Sequence, residues 1–307
     1  MRVAVIGAGG MGGVFGAALA QAGNDVTFVA RGAHLNAIQR NGLLVEGDRG
    51  TTHVNPAQAT DDPASIGPVD LVLFGVKLWD LETAAEQIRP IMGPGTIVIP
   101  LQNGIDAPER LAAILGPNAV MGGVAMASAN ITAPGVIHQI APMQRLIFGE
   151  MGNRPSPRGA SLRATCTAAG FESVLAPDME LALWEKFNLL VPHSGMTALT
   201  RLPIGQFRDD PDIFAVYEAA MRETTAVGRA RGVRLAPDAV KKGLAFARSL
   251  PPYHIASMAN DLIRGRKLEL PWLTGKVVEL GRALGVPTPA NAFIYAALKP
   301  YVNGTPA

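Results

Sequence analysis

Three glycines within the first dozen residues constrain this chain more than any other feature. Arg2 to Ile6 (RVAVI) is a short run rich in β-branched residues, as a buried parallel strand would be. Gly7, Ala8, Gly9, Gly10, Met11 and Gly12 follow at once. A small-residue helical pattern then runs from Met11 to Ala22 and closes at Gly23, and a second strand-like run spans Asp25 to Ala30. Strand, glycine turn, helix, strand is the order a dinucleotide needs. Gly7 permits the tight turn, Gly9 lets the backbone approach a pyrophosphate, and Gly12 lets helix and strand pack closely. The helix then directs its first N–H groups at the phosphates. A lone GxGxxG is weak evidence; its place between a strand and a helix strengthens it. The competing reading is a secretory leader with Arg2, an apolar run and Ala18-Leu19-Ala20. It fits poorly, because six glycines between Gly7 and Gly16 interrupt any apolar core.

The end of the second strand bears on the cofactor. NAD-binding versions of this unit usually carry Asp or Glu there, to bond the ribose 2′-hydroxyl. Here the position is Arg31, 19 residues after Gly12. A carboxylate repels a 2′-phosphate, whereas a guanidinium bonds it in forked geometry. The expectation is NADP(H) rather than NAD(H), the alternative being a plain surface arginine at a strand end.

The rest of the composition excludes other classes. A chain of 307 residues suits two domains, and 48% hydrophobic against 17% charged residues supports a substantial core. Net charge is +2 with no Lys/Arg run, so there is no electrostatic footprint for nucleic acid. Cys166 is the single cysteine, which excludes an internal disulfide and fits a reducing cytoplasm. Five scattered histidines give no metal-ligand spacing, and no apolar stretch is long enough for a membrane span.

Strand-like and helix-like patterns alternate up to residue 175. The expected fold is an α/β Rossmann-type domain over 1–176, with a doubly wound, mostly parallel sheet. Val69 to Val76 reads as an apolar strand whose carboxyl end carries Lys77, and Gly95 to Pro100 as a strand running into Gln102-Asn103-Gly104. Ligands of open α/β sheets sit outside such strand ends. Lys77 and Asn103 are therefore cofactor candidates, although a solvated lysine and an ordinary Asn-Gly turn fit the same residues. Ser128, beyond the strand expected at Ala119 to Ala125, joins that set. Leu78 to Arg89 reads as one helix, Val136–Ile140 and Arg145–Phe148 as two extended runs separated by Pro142, and Asn153–Pro157 as a loop. From Asp178 helical patterns replace the alternation, so 177–307 reads as an all-α substrate and dimerisation domain. Its first helix is expected over Asp178 to Val191.

Reduction of a ketone by a nicotinamide needs a proton donor at the nascent alkoxide. Lys186, among Leu183, Trp184, Phe187, Leu189 and Leu190, is the candidate. A lysine pointing from so apolar a helix into a closed site loses hydration, and its pKa falls toward neutrality. A solvated helix face would leave it without a chemical role.

Taken together, these motifs resemble the ketopantoate reductase (2-dehydropantoate 2-reductase) family over essentially the whole chain. The resemblance rests on Gly7 to Gly12, Val76-Lys77-Leu78-Trp79, Gln102-Asn103-Gly104, Leu183-Trp184-Glu185-Lys186, and Ser257-Met258 through Glu269 to Gly275. It implies that Lys186 is the catalytic acid with Glu269 beside it at the cofactor. It implies that Asn103 touches cofactor and substrate, that Ser257 binds substrate and that Lys77 contacts the cofactor. It further implies reduction of ketopantoate to pantoate in pantothenate biosynthesis, in the cytoplasm, by an enzyme that often dimerises through its helical half. Two departures bear on the substrate. The family usually has Asn four and eight positions after the lysine, where this chain has Leu190 and Ser194, and commonly has Asp where this chain has Pro271. Asn188 lies on another helical face, and His193 is a neighbouring polar residue taken to lie in a loop. A reductase of a different, more apolar 2-oxo or 2-hydroxy acid is therefore a second reading. A non-catalytic NADPH sensor is a third, opposed by the presence of both Lys186 and Glu269.

Overall fold

The computed structural model of the chain describes residues 1–306. They group into two compact units, Met1–Ala182 and the residues from Leu183 onward.

The first unit opens with β1 (Arg2–Ile6), α1 (Gly10–Gln21), β2 (Asp25–Val29), α2 (Gly32–Asn41), β3 (Leu43–Gly47), β4 (Gly50–Val54) and β5 (Gln58–Thr60). It continues with β6 (Val69–Phe74), α3 (Leu81–Gln87), β7 (Met92–Pro100), α4 (Ala107–Leu115), β8 (Gly122–Ala133), β9 (Val136–Gly149), α5 (Pro157–Ala168) and β10 (Glu172–Leu175). The first sheet has the order β5-β2-β1-β6-β7, and every pairing in it is parallel. Val3 to Ile6 and Leu71 to Phe74 are buried without alternation, as expected of strands covered on both faces. The chain builds outward from β1 through β2 to β5 and then returns to the other side of β1 with β6. Neighbouring loops at the carboxyl ends of β1 and β6 therefore diverge, which is where such sheets open a crevice.

A second five-stranded sheet was not foreseen. It has the order β10-β9-β3-β4, with β8 paired antiparallel to β9. Helix α1 packs against both sheets, and its small residues make this possible. A Cβ on Gly16 would lie 2.7 Å from Val5 and Phe28 of the first sheet, and one on Gly13 would collide with Ile137 of β9. The shared core joins Phe15, Phe28, Ile38, Leu43, Phe148, Leu162 and Cys166.

The two extended runs around Pro142 are one strand, β9. The register against β8 jumps between Gln139 and Gln144, so Pro142 lies in an unpaired bulge where its missing N–H interrupts no ladder. The helix expected over Leu78 to Arg89 breaks into a 3₁₀ turn at Leu78–Asp80, α3, and a second 3₁₀ turn at Arg89–Ile91 that contains Pro90. Helix α5 begins at Pro157, the last residue of the run expected as a loop, because Ser156 caps it by accepting from the Gly159 N–H at 2.9 Å.

Helix α6 (Met179–Thr200) is followed by α7 (Pro211–Ala230), α8 (Ala239–Ser249), α9 (Ser257–Ile263), α10 (Thr274–Leu284) and α11 (Pro289–Leu298). The division between the units falls at Ala182/Leu183, inside α6, where the sequence reading put the boundary at 176/177. Helix α6 also runs on through Pro192 instead of ending at Val191. Pro192 removes one N–H, and the residues around it hold the helix by burial: Val191, Met196 and Ala198 are at most 2% exposed. Trp184 packs edge-on to Phe187, their ring centroids 5.4 Å apart. A Cβ on Gly228 of α7 would stand 2.7 Å from the Trp184 ring, so the two helices meet at van der Waals distance.

Candidate active site

The glycine loop is held from two sides. The N–H groups of Gly7 and Ala8 both donate to the Val29 carbonyl, at 3.1 and 3.0 Å. Gly7 has φ +93°, a conformation that a side chain would strain. His34 of α2 completes the clamp. Its Nδ1 accepts from the Gly135 N–H at 3.0 Å, so Nε2 carries the proton and donates to the Ala8 carbonyl at 2.8 Å. Nothing in the sequence marks His34 for this role, because Gly135 lies 101 residues away.

The loop also fits the group that the motif implies. Gly9 is the N-cap of α1, no side chain caps that helix, and its first turn carries no acidic residue. The first-turn N–H groups thus remain available to an anion. A Cβ on Gly12 would collide with the Gly7 carbonyl oxygen, and one on Gly10 with the Ala129 carbonyl oxygen; one on Gly9 would meet nothing within 4 Å. Gly10 and Gly12 are therefore packing glycines, and Gly9 faces open space, as close approach of a pyrophosphate requires. Met11 is half-buried beside them.

Arg31 is exposed immediately after the carboxyl end of β2, at the N-cap of α2, and forms no ion pair among the described residues. Lys77 is exposed beyond β6, with its Nζ 5.6 Å from the Trp79 ring centroid. The Gly75 N–H donates to the Ile6 carbonyl at 2.7 Å, and Gln102 Nε2 donates to the Val76 carbonyl at 3.0 Å. The ends of β1, β6 and β7 are thereby tied together, and half-buried Asn103 is placed beside them. The Gln102 Oε1 is buried with no hydrogen-bond partner among the described residues. Ser128 is half-buried in β8 where the register with β9 breaks, next to the Ala129 carbonyl that faces Gly10.

In the second unit, Lys186 is half-buried on α6 and Glu269 is 8% exposed just before a 3₁₀ turn at Leu270–Trp272. Burial pulls the Lys186 ammonium down and the Glu269 carboxylate pulls it back up, leaving its pKa at about 8. Asn188 is committed elsewhere, since its Oδ1 accepts from Thr225 Oγ at 2.6 Å. Leu190 is half-buried, and Ser257 is exposed at the start of α9. Ser194 is 1% exposed with its Oγ unpartnered. His193 lies within the helix, not in a loop; it is 6% exposed, and its Nε2 is 2.8 Å from His254 Nδ1. Sequence reasoning did not find His254, which lies 61 residues further along the chain. Among the described residues no cluster could hold a metal ion, and no helix is long and apolar enough to cross a membrane.

Comparison with known proteins finds relatives along nearly the whole chain. The family model described as ketopantoate reductase PanE/ApbA matches residues 3–153, and the one for the C-terminal part of the same family matches 178–302. A 2-dehydropantoate 2-reductase of Mesorhizobium japonicum is 32% identical, with 97% of each chain covered. The crystal structure of a PanE/ApbA family ketopantoate reductase from Ralstonia eutropha JMP134 is 33% identical, with 98% of each chain covered and a TM-score of 0.91. D-mandelate dehydrogenase, solved with NADH and anilino(oxo)acetate, shares the fold at a TM-score of 0.90 with 20% identity over 98% of each chain. With two family models spanning nearly its whole length, this chain belongs to the ketopantoate reductase family of oxidoreductases.

Proposed function

We propose that this protein is an NADPH-dependent reductase of a 2-oxo acid, with 2-dehydropantoate as the substrate, converted to pantoate. The observation that carries this reading is Lys186: a partly desolvated ammonium opposite Glu269, with a pKa of about 8, is an acid poised for proton transfer near neutral pH. A bound nicotinamide supplies the hydride. Gly7 to Gly12 would hold its pyrophosphate, Arg31 the 2′-phosphate, and Lys77, Asn103, Ser128 and Glu269 further parts of the cofactor. Lys186 would protonate the oxygen of the nascent alkoxide, and Glu269 would keep that ammonium charged and oriented. Asn103, Ser257 and the α6 face carrying Leu190 and Ser194 would orient the oxo acid. The family relationship supports a cytoplasmic role in pantothenate biosynthesis, with a homodimer formed through the helical unit.

The test is NADPH oxidation with ketopantoate by wild type and Lys186→Ala. The variant is expected to keep NADPH affinity and lose about 10²-fold or more in turnover. An unchanged turnover number removes Lys186 from the mechanism. Leu190 and Pro271 favour a second reading, a more apolar 2-oxo or 2-hydroxy acid on the same scaffold. A panel of branched and aromatic 2-oxo acids, compared by kcat/KM, separates the two.

A further inference from the structure

His193 follows Lys186 by seven residues on α6, so both project from nearly the same face, about 10 Å apart along the helix axis. Between them on that face stands Leu190, which is apolar, and beside His193 stands Ser194, whose hydroxyl is enclosed. The polar groups that α6 could offer to a small acid beyond Lys186 are therefore few. His193 does not end in a void, however: its Nε2 meets His254 Nδ1 at 2.8 Å, and the Tyr217 ring walls its other side at a centroid distance of 6.4 Å.

Which ring carries the shared proton follows from what is left over. His193 Nδ1 is buried with no partner among the described residues. If it carried a proton, that N–H would be an unsatisfied buried donor; as a bare lone pair it costs less. The proton therefore sits on His193 Nε2 and is donated to His254 Nδ1. His254 is then protonated on Nε2, the one nitrogen of the pair that is neither bonded nor enclosed. Burial lowers the pKa of both rings, that of His193 to about 3, which favours the neutral pair. The backbone of His254 is pinned as well. Its N–H donates to the Pro251 carbonyl at 2.9 Å, and its carbonyl accepts from the Ile204 N–H at 3.0 Å. Two residues on, the Ala256 N–H reaches Thr197 Oγ of α6 at 3.4 Å, which draws the Ser257 segment onto the same helix.

We propose that His254 Nε2–H, oriented by His193, is a specificity-determining donor that reads a hydroxyl or carbonyl oxygen at the end of the oxo acid remote from its reacting carbonyl. His193 is a positioning residue that fixes the tautomer and aim of its partner. The site then selects a 2-oxo acid with a distal acceptor over one that is apolar throughout. This rests on the 2-oxo-acid reading of Lys186 and deepens it.

The experiment pairs ketopantoate with 3,3-dimethyl-2-oxobutanoate, the same acid without its 4-hydroxyl, and measures kcat/KM for both. Wild type is expected to prefer the hydroxylated acid by about tenfold or more. In His254→Ala the ratio falls toward one, mainly through KM for ketopantoate. His254→Gln, which can present an amide N–H near the same place, recovers part of it. His193→Gln keeps a donor toward His254 Nδ1 and is expected to retain the preference, whereas His193→Leu loses it. A merely structural role would lower both substrates together and leave the ratio intact. A wild-type ratio near one, or a ratio unchanged in His254→Ala or, should that variant not fold, in His193→Leu, overturns the proposal while the reductase reading stands. Failure of wild type to oxidise NADPH with either acid overturns the reductase reading itself.

Discussion

Burial lowers the pKa of Lys186 and the carboxylate of Glu269 raises it, so that the ammonium loses its proton at about pH 8 rather than near 10.5. With Lys186 as proton donor, the reduction requires its charged form. The rate is then full below pH 8 and falls as pH rises through it. Removing the Glu269 charge withdraws the influence that favours the ammonium. In Glu269→Gln the falling limb of the kcat/KM profile for reduction is expected to move to lower pH by roughly one unit. A limb that stays in place would show that another group titrates there.

Gly9 and Gly12 belong to one motif and are expected to fail in different ways. A Cβ on Gly12 meets the Gly7 carbonyl oxygen and would stand 2.9 Å from Val5 Cγ1, so Gly12→Ala must push α1 away from β1. A cost of about 1–3 kcal/mol is expected, read as a lower Tm without nucleotide. A Cβ on Gly9 meets nothing. Gly9→Ala is expected to keep the Tm of the wild type and to weaken NADPH binding, because the methyl occupies space the pyrophosphate needs. Thermal melts with and without NADPH separate the two effects.

The contrast shows what the sequence makes legible. The strand–turn–helix order around Gly7 to Gly12 is local, and so are the hydrophobic runs of β1 and β6; a chain reader can find them because spacing alone decides them. The second sheet is different. Its central strand β9 takes partners from residues 44–47, 122–133 and 172–175, and no local pattern announces such pairings. Pro142 and Pro192 mislead for one reason: each loses a hydrogen bond in isolation, and each is tolerated here, by a bulge in one case and by a buried helix face in the other. Lys186 and Glu269 could be singled out by type and motif. His34 and His254 could not, since their roles exist only through Gly135 and His193, distant in sequence.

Arg31 gives a test of cofactor choice. It is exposed at the end of β2, and among the described residues no carboxylate pairs with it. Arg31→Asp exchanges a forked donor for a group that repels the 2′-phosphate and suits a ribose hydroxyl. NADPH affinity is expected to fall by about 10–100-fold, with NADH affinity unchanged or improved. Fluorescence titration of both nucleotides measures this. An equal loss for both would mean that Arg31 does not read the phosphate.

Glu223 on α7 supports the helical unit from a distance. Its carboxylate accepts the Ala290 N–H at 2.7 Å, the Asn291 N–H at 2.9 Å and Asn291 Nδ2 at 2.7 Å, and thereby caps α11, which has no side-chain cap of its own. Asn291 Nδ2 also donates to the Ala220 carbonyl at 3.0 Å, so the cap is tied back to α7. Glu223→Gln keeps the shape but sets an NH₂ group against one of these donors, leaving an N–H unsatisfied at the start of the helix. The expected cost is about 1–3 kcal/mol. Glu218, about one turn earlier on α7, pairs with Arg222, whose side chain is 63% exposed. Glu218→Gln is expected to cost about 0.5 kcal/mol or less, because water and salt already screen that pair. In urea, Glu223→Gln should therefore lower the midpoint well below that of Glu218→Gln, with similar m-values. Equal midpoints would mean that α11 holds its first turn without the carboxylate.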